Sequence, residues 1–97
     1  MNAFREKVLQ AIRICNEELE NRKRGVLGES TDEELNNVIL PELNRLLGMI
    51  DNKQFPPKEE RYLNSFAHAF TVWGWNMQKP TELFVLLTEL NNEFKKI

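Results

Sequence analysis

Ninety-seven residues, 41% of them hydrophobic, make one domain with a single core and too little material for a second. Thirteen Lys and Arg against fifteen Asp and Glu leave a net charge of -2, which removes the basic footprint that binding DNA or RNA needs. Four glycines, four prolines and interspersed charge describe a chain that folds rather than a disordered one.

The lone cysteine, Cys15, excludes an intramolecular disulfide and a thiolate metal site and fits a reducing compartment. From Met1 to Val8 the charges of Arg5, Glu6 and Lys7 precede any apolar run, and no stretch reaches the roughly eighteen apolar residues of a membrane span. The expectation is a cytoplasmic protein with no membrane partner.

From Ala3 to Arg24, Phe4, Val8, Ala11, Ile12, Cys15 and Leu19 recur at three- and four-residue intervals, the pattern of an amphipathic helix. Arg22, Lys23 and Arg24 suit the negative end of its dipole, and Gly25 suits a left-handed cap. Ser30 and Thr31 each stand three residues before a glutamate, so either register of a capping box opens a second helix. Its apolar set, Leu35, Val38, Ile39, Leu43, Leu46, Leu47, Met49 and Ile50, keeps its phase across Pro41. That favours one helix bent at the proline over a break at Leu40.

Pro56-Pro57 followed by Lys58-Glu59-Glu60 predicts a third helix running to about Trp73, with Gly74 as its stop. Pro80, Thr81 and Glu82 start a fourth, whose stripe is Leu83, Leu86, Leu87, Leu90, Phe94 and Ile97. Sustained period-two alternation is missing throughout. The fold class is therefore all-α, an irregular antiparallel four-helix bundle with its second helix bent at Pro41.

Between Tyr62 and Trp75 lie five of the nine aromatic residues and the only histidine. On a helix, Tyr62, Leu63, Phe66, Ala69, Phe70 and Trp73 make the core stripe, whereas Asn64, His68, Val72 and Trp75 lie opposite. This second set is the candidate surface for a protein partner. Its competing reading has Gly74 turning Trp75 back onto Phe70 as the apolar contact of the helix ending.

Cys15 and His68 are the only residues available for a nucleophile and base pair, but they belong to a core stripe and an outward face, respectively, so a dyad is not expected. Glu29, Asp32, Glu33 and Glu34 lack the alternating spacing of a calcium loop and suit a helix N-terminus. Gly25, Gly28, Gly48 and Gly74 form no phosphate cradle. Neither a cofactor nor a metal is expected, and no catalytic residue is assigned.

The stretches GVLGEST from Gly25 to Thr31, LPELNRLLGMI from Leu40 to Ile50 and PPKEERYLNSFAHAFTVWGW from Pro56 to Trp75 resemble the small, all-helical bacterial immunity proteins that accompany polymorphic or contact-dependent toxins. The resemblance lies in size, acidity and helical texture. It implies a non-enzymatic protein that neutralises a cognate toxin by occluding it in the cytoplasm. The expected binding residues come from the chain itself: Asn64, His68, Val72 and Trp75, rimmed by Asp32, Glu33 and Glu34. The rival expectation is a structural or accessory subunit that forms a homo-oligomer through spare apolar residues Leu9, Ile14, Leu40 and Val85.

Overall fold

The computed structural model describes residues 2–97; Met1, the head of the segment read for a leader, lies outside them. Four helices and no strand occur among the described residues. Helix α1, Asn2–Lys23, buries Phe4, Val8, Ala11, Ile14 and Cys15. It ends in a Schellman turn. Gly25 takes φ 81°, Val26 N donates to Asn21 O at 2.8 Å, and Gly25 N donates to Arg22 O at 3.1 Å. Arg22 does more than answer the dipole: it donates to Ser30 O at 2.9 Å, to Val26 O at 3.2 Å and to Glu18 Oε2 at 2.6 Å, folding the 24–31 loop around its guanidinium.

Helix α2 spans residues 32–52 in three parts: Asp32–Glu34, a π-helical turn at Leu35–Ile39, and Leu40–Asn52. Of the two capping-box registers, Thr31 with Glu34 is the one formed, with both reciprocal bonds at 3.1 Å. Pro41 does not break the helix. The turn before it widens, with Leu40 N donating to Leu35 O, and this π turn makes room for a ring that an α-helical turn would crowd. Lys53 closes the helix in the left-handed region at φ 54°, and Gln54 N donates to Met49 O at 3.0 Å.

The third helix is much shorter than expected. Lys58–Glu60 is a single 3-10 turn, Leu63 is extended, and α3 runs only over Asn64–Thr71. Local propensity is overridden by distant acceptors. The buried Asn91 Oδ1 accepts from Leu63 N at 2.8 Å, and Glu42 accepts from Asn64 N at 2.7 Å and Ser65 N at 2.8 Å, doing from another helix what an N-cap does locally. Arg61, two residues before Leu63, donates to the carbonyls of Pro56 and Ile97 and so leaves the helical path. Helix α4, Glu82–Lys96, starts as expected, with Thr81 Oγ1 accepting from Phe84 N at 3.2 Å.

Helix α1 runs antiparallel to α2, since Arg5 meets Asp51 at 2.8 Å near one end and Arg22 meets Ser30 near the other. It is antiparallel to α4 as well, with Lys7 meeting Glu93 at 3.0 Å. Helix α3 lies antiparallel to α4, because Leu63 pairs with Asn91 and Phe66 packs on Phe84. The buried apolar side chains of all four helices form one cluster. The irregular antiparallel bundle anticipated from the sequence is the fold, with its irregularity concentrated in the π turn and in α3.

Candidate protein-binding surface

The outward set on α3 divides in two. Asn64 and Val72 are exposed, Val72 to 68%, and His68 is half-buried with its ring 5.6 Å from that of Trp73. Trp75 does not belong with them. It retains 4% of its surface and packs edge-on against Phe84 at 5.6 Å and beside Trp73 at 5.4 Å. Gly74, at φ 67°, reverses the chain, and Trp75 N donates to Ala69 O at 3.1 Å, which carries the indole onto α4 rather than back onto Phe70. The geometry therefore corrects its assignment as a displayed residue.

The acidic rim divides as well. Asp32 and Glu33 are exposed in the first turn of α2, where the dipole favours them, whereas Glu34 is engaged in the capping box. Among the described residues, no hydrogen bond or ion pair joins Asp32, Glu33 or Glu34 to the Asn64 face.

The expected core stripe of α3 is incomplete, and this produces an apolar surface of a different composition. Leu63 and Ala69 are buried and Phe66 and Trp73 half-buried, but Tyr62 and Phe70 stand about half exposed. Tyr62 precedes α3, and within the helix the inward face is centred on Ser65 and Ala69, both fully buried, which leaves Phe70 at its margin. Phe70 is 50% exposed, Met77 56% and Val85 41%, and with Phe66, Pro80 and Phe84 they wall a shallow groove of about 320 Å³ between α3 and α4. Glu89 and Thr88 supply its polar margin.

Phe70 and Met77 were missed as surface residues. The third member of the groove already stands among the spare apolar residues, because Leu83-Phe84-Val85-Leu86-Leu87 puts five consecutive apolar positions on more than one face of a helix, so one of them must point outward. That residue is Val85. Of the other spare apolar residues, Ile14 is buried, and Leu9 and Leu40 are half-buried.

Cys15 is fully buried, and desolvation, reinforced by Glu18, pushes its thiol up to about 12. At neutral pH it is held as the thiol, the form that is neither nucleophile nor metal ligand. No cluster of three or more His, Cys, Asp or Glu side chains suited to a metal ion occurs among the described residues. None of the helices described is long and apolar enough to cross a membrane. No family model matches this chain, and comparison with curated proteins and with solved structures finds no match.

Proposed function

We propose that this chain is a non-enzymatic protein-binding module of the immunity type, one that neutralises a toxin by covering its surface in the cytoplasm of the producing cell. The observation carrying this reading is the α3–α4 groove, where Phe70, Met77 and Val85 expose apolar surface side by side on a small acidic domain. An aromatic ring beside aliphatic side chains with a polar margin is the make-up of a binding hot spot and its rim. Asp32 and Glu33 add negative charge that would speed encounter with a basic partner. The resemblance to immunity proteins supplies the class of partner.

Val85 also belongs to the apolar set that a self-associating subunit would use, and sedimentation of the isolated protein separates the two readings. A monomer that protects cells from a toxin encoded beside its own gene, and loses protection as Val85→Asp while remaining folded, sustains the proposal. A stable homodimer that Val85→Asp dissociates replaces it with the subunit reading.

A further inference from the structure

The 24–31 loop holds two apolar side chains away from the domain. Val26 keeps 51% of its surface exposed and Leu27 91%. The tip that carries them is fixed in place. Arg22 donates to the carbonyls of Val26 and Ser30, Gly25 turns in the left-handed region, and Gly28 lies so close that a Cβ there would run into the Arg22 guanidinium. With the backbone set in advance, seating Leu27 on another surface costs little ordering entropy. The two legs of the loop carry opposite charge: Lys23 and Arg24 lead into it, and Asp32 and Glu33 follow it, all four exposed.

The α3–α4 groove has the converse form. Its apolar walls end, along α4, at Pro80 on one side and Glu89 on the other. Lys7 stands 3.9 Å from Glu89 but 3.0 Å from Glu93, so Glu89 is left largely unanswered. Lys79, exposed beside Pro80, makes no ion pair among the described residues. An apolar tip with one cationic and one anionic leg thus matches an apolar groove with one anionic and one cationic end. The spans match as well. The legs leave packed neighbouring helices about 8–10 Å apart, and Glu82 to Glu89 rise about 10 Å along α4, so both charge pairings can form together.

We propose that the Val26–Leu27 tip of one copy docks in the α3–α4 groove of a second copy, with Lys23 and Arg24 toward Glu89 and with Asp32 and Glu33 toward Lys79. This rests on the reading of the groove as a docking surface, and it supplies what covers the groove when no toxin does: a self-masking contact that the toxin displaces. Two aliphatic side chains and their flanking charges bury far less than the roughly 1,200 Å² of a stable association. The contact is therefore weak, half formed only at about 0.1–1 mM, and the dilute protein is a monomer. Because tip and groove are different surfaces, the contact is heterologous and leaves a free tip and a free groove at the two ends of any row of copies.

Sedimentation equilibrium at concentrations up to about 1 mM tests it, with substitutions at exposed positions that leave the core untouched. The unaltered protein is expected to associate, and the Leu27→Asp and Val85→Asp variants each to stay monomeric alone. Mixed in equal amounts, the two variants should form a one-to-one pair and nothing larger, because one keeps an intact groove and the other an intact tip. Glu89→Lys should weaken association about two- to fivefold. No association at about 1 mM, a mixture that stays monomeric, association that Val85→Asp abolishes but Leu27→Asp leaves whole, or no change on Glu89→Lys overturns the proposal. Protection from the toxin is read in parallel, with Leu27→Asp expected to retain it and Val85→Asp to lose it. Self-docking that fails while Val85→Asp still loses protection sinks this inference alone; self-docking with full protection by Val85→Asp sinks the toxin reading alone.

Discussion

Helices α1, α2 and α4 hold most of their end signals within a few residues of themselves, whereas α3 borrows its start from elsewhere. The Gly25 turn, the Thr31–Glu34 box and the Thr81 cap are all local pairings. The first amides of α3 are held by Glu42, some twenty residues upstream, and the amide just before it by Asn91, further downstream. Helix starts of the first kind follow from short-range chemistry; starts of the second kind exist only once the tertiary fold does. The same anchoring accompanies the exposed groove, because α3 turns Ser65 and Ala69 into the core and leaves Phe70 at the edge of its buried face.

The sharpest way to break this contrast is Trp75→Ala. The indole carries the chain leaving α3 onto Phe84, and its removal should cost about 3–5 kcal/mol in urea unfolding. A loss below about 1 kcal/mol would return Trp75 to the surface. Asn91→Ala leaves the Leu63 amide buried without an acceptor and should cost about 1–3 kcal/mol, with the largest chemical-shift changes at the head of α3 despite the distance in sequence. Thr31→Ala, the local counterpart, should cost about 1 kcal/mol and perturb only the start of α2.

Lys53→Gly should have a smaller effect of opposite sign, a gain of up to about 1 kcal/mol, because a side chain is strained at φ 54° and glycine is not. At the lower limit, iodoacetamide should leave Cys15 of the native protein essentially unmodified at pH 8 unless the fold opens. Its thiol titrates near 12 in the folded state rather than at the ordinary 9.0, so its contribution to stability is complete below about pH 9 and is lost as pH rises towards 12.

Much of the fold was legible from the sequence because its signals are short-range. The stripe from Phe4 to Cys15, Gly25 as a stop, and Thr81 as a start each depend on neighbours within one or two turns. Pro41 was legible in outcome, a continuous helix, though a π turn is not something periodicity specifies. The end of α2 was blurred because Lys53 fills a position for which glycine is the expected residue.

The Lys58–Trp73 segment misled because Lys-Glu-Glu-Arg has good helical propensity, and nothing in its own residues shows that Arg61 will reach the carbonyls of Pro56 and Ile97. An asparagine at position 91, inside an otherwise leucine-rich stripe, was the one available clue that a buried acceptor waits for a distant amide. The displayed set was legible for Asn64 and Val72, which follow helical phase, and not for Trp75, whose direction depends on the backbone reversal at Gly74.

A segment of eight residues is too brief to persist as an isolated helix in water. Helix α3 is therefore a guest of its neighbours: if Glu42 or Asn91 draws away, its first amides face solvent and the whole segment can unravel. Deuterium uptake should begin there while α1 remains protected, and the apolar wall formed by Phe66 and Phe70 would dissolve with it. Whatever docks on that wall would then hold shut the part of the protein that opens most readily, and its grip would register as slowed exchange at Asn64 and Ser65.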